Sequence, residues 1–294
     1  VREEQLGFLQ VLITGLGQGC LYGLIALGFV LIYKATEIVN FAQGDLLMLG
    51  AFFAVTYVGI FALPFWLGFL LAIISMAVFG YLLDMLVVRS MIGESQFSII
   101  ILTISIGFIL RAAAGGIWGS NILSLETPYS GKMADIGGLV ISQEYLVVIA
   151  GTIILSVILF LFFRFSSLGI AMQAASQNQL AAYYMGIPVK RIFSLIWAIS
   201  ALVATVAGTL MAPISLVNPQ MGFIGIKAFA AAVIGGFGSL PGALIGGLII
   251  GCTEQLAGSY LPTGFQEITA YLIMFLVLTL RPQGLFTQIQ QKKV

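Results

Sequence analysis

Eight apolar windows, most of them roughly twenty residues or longer, limit what this chain can fold into. They run from Phe8 to Tyr33, Phe41 to Leu63, Phe65 to Val88 and Phe97 to Trp118, then Tyr145 to Phe163, Ile192 to Val217, Phe223 to Tyr260 and Phe265 to Leu280. A hydrocarbon layer about 30 Å thick takes roughly 20 apolar residues per helical crossing, so there is room for about eight to ten crossings. Only helices and closed barrels satisfy every backbone group in lipid, and these windows are too long and too uniformly apolar for barrel strands. The expectation is an all-α polytopic membrane protein, residues 1–294 forming a single transmembrane domain with broken or re-entrant Gly-rich segments. The first window follows Glu3 and Glu4 and outruns a signal's apolar core, so it is expected to be a crossing and not a cleaved signal.

Composition excludes much else. Of 294 residues 60% are hydrophobic and 8% charged, and the formal charge of +1 is no basic field for nucleic acid. With no His, histidine general-base chemistry and histidine metal ligation are gone. Cys20 and Cys252 lie in apolar stretches, where a thiol acts as a small hydrophobe.

Arg89, Arg164, Lys190, Arg191, Arg281, Lys292 and Lys293 flank windows, and the positive-inside rule puts their loops in the cytoplasm. Residues 119–144, with Pro128, Gly131, Gly137 and Gly138 and the acids Glu126, Asp135 and Glu144, are then an external loop. An even number of crossings between Arg191 and Arg281 requires Phe223 to Tyr260 to be two crossings or a re-entrant pair, broken near Gly238 to Gly242. Three windows before Arg89 place the N-terminus outside and give about nine crossings.

Glycines cluster. Gly15, Gly19 and Gly23 share one face of the first window, and Gly242 with Gly246, and Gly247 with Gly251, repeat the spacing. Such faces let helix backbones approach closely, and for any one glycine packing is the simpler reading. Two polar breaks say more: Asn40-Phe41-Ala42-Gln43-Gly44-Asp45 in the first half and Gly235 to Gly242 in the second. Paired breaks in matching halves point to a transport pathway, since unwound backbone at membrane depth must face protein or a water-filled cavity. Asn40, Gln43, Asp45 and Ser239 are the candidates to line or border that route, with Phe41 and Phe237 narrowing it. Asp45 also reads as an acid stabilising the start of the next helix.

Three stretches resemble the Liv-type permeases, the membrane subunits of branched-chain amino acid ABC importers. They are Gly23 to Tyr33 continuing through Ile38-Val-Asn-Phe-Ala-Gln-Gly-Asp45 to Ala51, Val233 to Gly247, and Leu280-Arg-Pro-Gln-Gly-Leu-Phe286. They stand in the family's order, span nearly the whole chain and are closer to its LivH-like branch. Gln43 stands where many relatives carry His. The resemblance implies an importer for branched-chain or other neutral amino acids in the bacterial inner membrane. Its assembly would join this chain to a second permease, a LivM-like paralogue, two ATPase subunits that carry ATP-Mg, and an external substrate-binding protein.

Residues 164–191 are the expected cytoplasmic coupling loop. Asn178 is placed to cap a short helix of Gln179 to Met185, with Gly186 as its stop and Pro188 just beyond. Asn178, Ala181, Ala182, Gly186 and Ile187 match the family's loop pattern, which implies a helix seated in an ATPase groove. Leu180, Tyr183, Tyr184 and Met185 would be its anchors, and Ala181 and Ala182 would allow close approach. The bland alternative is an amphipathic turn lying on lipid headgroups.

Asp45, Asp84, Arg111, Lys227 and Glu254 lie at or inside apolar windows, where a charge costs roughly 2.5 to 3.5 kcal/mol even on insertion scales. Asp84 and Arg111 are candidates to pair, Asp84 is also near Arg89, and Lys227 and Glu254 are expected to snorkel from window ends. A proton-coupled secondary transporter using Asp45 or Glu254 is the competing reading. No Gly-x-x-x-x-Gly-Lys-Ser/Thr loop occurs in the sequence. Purified chain alone is therefore expected neither to bind nor to hydrolyse ATP, as equilibrium nucleotide binding and phosphate release will show.

Overall fold

A computed structural model describes residues 2–91, 94–136 and 139–286. Gly137, Gly138, Lys292 and Lys293, which entered the reading of the loops, lie outside the described residues.

The apolar windows become helices. In chain order they are α1 (Arg2–Thr36), α2 (Gln43–Val55, running on through a π turn at Thr56–Ile60), α3 (Phe65–Leu86), α4 (Gln96–Trp118) and α5 (Gln143–Phe165). Two short helices follow, α6 (Ser167–Gln177) and α7 (Gln179–Tyr184), and then α8 (Val189–Ser215), α9 (Ile224–Gly235), α10 (Leu240–Tyr260) and α11 (Phe265–Leu280). Seven of the described helical stretches are long and apolar enough to cross a membrane, while Pro219–Gly235 and Phe265–Leu280 are shorter apolar pieces. The Phe223 to Tyr260 window does divide. Gly236 follows α9 with φ of +91°, and Ser239 caps α10 by accepting a hydrogen bond from the Gly242 N–H at 3.1 Å.

One element departs from the all-helical expectation. Within residues 119–144, β1 (Met133–Ile136) and β2 (Leu139–Ser142) pair antiparallel, Met133 opposite Ser142 and Asp135 opposite Val140. Four-residue runs this short carry no periodicity to distinguish them from loop. Leu123 and Val217 exchange two backbone hydrogen bonds, of 2.9 and 2.8 Å, which tie this segment to the chain leaving α8.

The helices are not equally covered. The apolar windows of α1 and α8 are 89% and 83% buried inside the chain, those of α3 and α5 only 28% and 22%. The first pair is therefore the centre of the bundle, and the second pair presents apolar side chains outward. Glycine explains how α1 reaches the centre. A Cβ built on Gly247 would meet the Gly23 nitrogen at 2.3 Å, and one on Gly251 would meet the Gly19 nitrogen at 2.2 Å. On the facing side, a Cβ on Gly19 would meet the Leu248 Cα at 2.7 Å. Both backbones are in contact, and nothing larger than hydrogen fits between them. Where lipid is as apolar as any side chain, such packing is what holds helices together.

Gly251→Val should thus force α1 and α10 apart, a loss of roughly 1 to 3 kcal/mol for overpacking. Gly116→Val on α4, where an added Cβ meets nothing within 4 Å, is the matched control. Thermal unfolding of the detergent-extracted variants is expected to show a lowered midpoint for the first and little change for the second.

Candidate functional site

The chain between α1 and α2 breaks the helical hydrogen-bond pattern, and side chains satisfy it instead. Asn40 is fully buried; its Oδ1 accepts from the Ala42 N–H at 3.1 Å and its Nδ2 donates to Gln43 Oε1 at 3.4 Å. Gln43, equally buried, donates from Nε2 to the Ser200 carbonyl at 3.4 Å. The Ser200 hydroxyl lies 2.9 Å from Gln43 Oε1 and 3.0 Å from the Gly28 carbonyl, its one proton serving either. Gly28 makes room for this amide, since a Cβ there would fall 1.9 Å from Gln43 Nε2. Asn40 and Gln43 therefore join α1, α2 and α8 from the inside.

Two residues further on, the chemistry faces outward. Asp45 sits in the first turn of α2 and accepts on Oδ1 from Arg111 of α4, at 2.8 Å from Nη2 and 3.2 Å from Nε. Two glycines make room for its carboxylate: a Cβ on Gly107 would lie 2.4 Å from Oδ2 and one on Gly222 2.4 Å from Oδ1. The Arg111 guanidinium covers the Phe223 ring, 3.9 Å from its centroid. Next to this ion pair is a half-open cavity of about 180 Å³ with Phe29, Phe41, Ile104, Phe108 and Phe229 in its wall. From there a row of rings continues inward, Phe41 to Phe229 at 5.4 Å, Phe229 to Phe237 at 5.7 Å and Phe237 to Tyr33 at 4.7 Å. Of the six residues expected along a pathway, Phe41 and Asp45 line this cavity, Phe237 extends its aromatic row, Asn40 and Gln43 lie behind it, and Ser239 caps α10.

The final motif also finds its place. Gly284 packs against Gly236, and the Leu285 and Phe286 N–H groups donate to the Ile234 and Gly235 carbonyls at 2.9 and 3.2 Å. The Arg281 to Phe286 segment thus satisfies the end of α9 at the Gly-rich break, a contact between distant motifs that no local spacing announces.

The remaining ionisable groups correct the sequence reading in part. Asp84 does not meet Arg111; it lies 3.7 Å from Arg89, the neighbour expected to anchor it, and accepts from the Ser194 hydroxyl at 2.6 Å. Lys227 and Glu254 do not snorkel but pair with each other between α9 and α10, and Glu254 also accepts from the Tyr22 hydroxyl of α1 at 2.7 Å. Partner choice across helices depends on which faces meet, and the residues' depth in their windows does not specify it.

The loop after α5 holds two helices where one was expected. In α7, Asn178 caps as expected, accepting from the Ala181 N–H at 2.9 Å, but the helix closes at Tyr184 and Met185 is its C-terminal cap. The early close follows from Gly186: its φ of +83° is open to glycine and strained for branched residues, and it lets the Gly186 and Ile187 N–H groups turn back on Tyr183 and Ala182. Leu180, Tyr183, Tyr184 and Met185 are 63 to 82% exposed, Ala181 is exposed as well, and Ile187 is half-buried. Ala182 points into the chain and is buried, so it packs α7 onto its own protein.

Removing one partner of a buried ion pair leaves the other uncompensated. Asp45→Ala is expected to destabilise the protein on the order of 3 kcal/mol, and Asp45→Leu combined with Arg111→Met to recover most of it. A double-mutant cycle on thermal unfolding measures this.

Residues 11–280 match the family model described as the branched-chain amino acid transport system / permease component. The high-affinity branched-chain amino acid transport system permease protein LivH of Salmonella typhimurium is 32% identical, over 99% of this chain and 99% of its own. BraD of Pseudomonas aeruginosa, with the same description, is also 32% identical, over 98% of each. A solved structure, PsaBC from Streptococcus pneumoniae in complex with Fab, covers 92% of this chain and 94% of that one at 19% identity, with a TM-score of 0.47. With a family model matching nearly its full length and relatives this similar from end to end, the chain belongs to the family of branched-chain amino acid transport permease components.

Proposed function

We propose that this chain is the membrane-spanning permease subunit of an ABC importer for branched-chain or other neutral amino acids. It forms part of the translocation pathway and takes its energy from separate ATPase subunits, which hold the ATP-Mg. The carrying observation is α7: a short helix, capped at both ends, that holds Leu180, Tyr183, Tyr184 and Met185 clear of the chain between two long apolar helices. Two exposed tyrosines with Leu and Met at neighbouring positions are the aromatic and apolar anchors that fill a partner groove. Asn178 and Gly186 fix the helix's two ends, and buried Ala182 seats it, so a push on α7 reaches α8 through Ile187 and Pro188.

Away from α7, the Asp45–Arg111 pair with its aromatic cavity is the stretch of pathway contributed by this subunit. Phe41 and Phe237 narrow it, while Asn40, Gln43 and Ser239 shape the backbone breaks behind. The second permease is a LivM-like paralogue, completing the route with two ATPases and an external substrate-binding protein in the bacterial inner membrane. Proton coupling is disfavoured because both acids proposed for it are already engaged, Asp45 with Arg111 and Glu254 with Lys227.

The test is on the exposed face of α7. Leu180→Glu and Tyr184→Glu should leave membrane insertion unchanged and reduce ATPase copurification and amino acid uptake together, by tenfold or more in order of magnitude. Gly186→Val should do the same by misdirecting the chain into Ile187. Normal association and uptake in all three would defeat the assignment of α7 as the coupling element.

A further inference from the structure

A groove of about 650 Å³ runs between α1, α5, α6 and α10, away from the Asp45–Arg111 cavity. Its walls are apolar, with Leu27 of α1, Val157 and Phe160 of α5, Ile170 of α6 and Leu244 of α10. Val157, Phe160 and Ile170 are all exposed, so the groove opens on the outer face of the bundle, along a helix whose apolar window is mostly uncovered. At hydrocarbon depth water gains nothing there, and the space is filled by something apolar.

The chemistry at one end says what kind of molecule that is. Arg164, in the last turn of α5, belongs to the groove's wall and is exposed. No carboxylate among the described residues pairs with it; its guanidinium lies over the Phe160 and Phe165 rings at 5.6 and 5.7 Å. A smaller hollow that shares Phe163, Gln173 and Leu240 with the groove brings in Lys34, from the last turn of α1, at the same end. Two cations thus stand where the apolar wall stops, and from Arg164 back to Val157 the helix descends roughly 10 Å into it. An apolar slot with unpaired positive charge at its membrane-surface end matches a molecule with a hydrocarbon chain and an anionic head.

We propose that this groove binds one acidic phospholipid, with an acyl chain between α5 and α10 and its phosphate on Arg164. The inference needs only that the chain crosses a bilayer and does not depend on what it transports. The lipid would brace two segments of the chain against each other. Leu240, Pro241 and Leu244 begin α10 at the Gly-rich break, and Ile170 and Gln173 belong to the helix that leads into α7.

Tryptophan quenching tests it on the full chain in bilayers. Val157→Trp puts a reporter in the groove, read against the parent with its own three tryptophans, and Ile170→Trp is a second reporter should the first fail to fold. Phosphatidylglycerol with brominated chains is expected to quench the reporter at about one-fifth the mole fraction that brominated phosphatidylcholine requires. Arg164→Gln should bring the two lipids level, and Arg164→Lys should keep the preference. Equal quenching by both lipids without the Arg164 change means ordinary boundary lipid and overturns the proposal. So does a preference that survives Arg164→Gln, or a reporter that neither lipid quenches, which would mean that protein covers the groove.

Discussion

The contact between α1 and α10 sets the geometry of everything else. Gly15, Gly19 and Gly23 lie against Gly247 and Gly251, with backbone on backbone over two turns, and this draws α1 into the middle of the bundle. Once there it meets α10 on one side, α8 on another and α9 on a third, so most of its apolar window is covered by protein. In a soluble protein a central helix is driven inward by water; in a bilayer it stays there through close van der Waals packing, which larger side chains at these positions would forbid.

A helix so enclosed must end inside protein, and that is where the polar chemistry collects. The chain leaving α1 turns through Asn40 and re-enters as α2, with the Ala42 N–H held by Asn40, the Phe41 N–H by Thr103 of α4, and Gln43 tied to Ser200 of α8. Around this centre stand three ion pairs: Asp45 with Arg111 joins α2 to α4, Lys227 with Glu254 joins the consecutive helices α9 and α10, and Asp84 with Arg89 closes the end of α3 on the turn that follows it. Their common logic is that a charge at membrane depth is tolerable only when another charge and further hydrogen bonds compensate it. Asp45 differs from the others in standing at the edge of a cavity walled by phenylalanines, which is why we propose that the pathway runs beside it.

The surfaces for partners follow from what this interior leaves uncovered. The loop between α5 and α8 is stiffened by two capped helices and presents the aromatic end of α7, and the uncovered flank of α5 borders the groove assigned to lipid. Both meet at α6, so the face we propose for ATPase docking and the groove we propose for lipid are adjacent.

The sequence alone determined the long apolar helices. Their windows, the two polar breaks, the Asn178 cap and the Gly186 stop are all written in residues a few positions apart, and local spacing and transfer energy are enough to read them. It also singled out Asp45, because a carboxylate that follows a polar break inside apolar sequence is too costly to leave facing lipid. What only the tertiary structure decided is who meets whom. That Arg111 belongs to Asp45 and not Asp84, that Lys227 closes on Glu254, that Gly107 and Gly222 vacate space for a carboxylate, and that Arg281 to Phe286 folds onto the end of α9 depend on which helix faces oppose each other. Those choices are made by packing between segments separated by tens to hundreds of residues, and no local pattern carries that information.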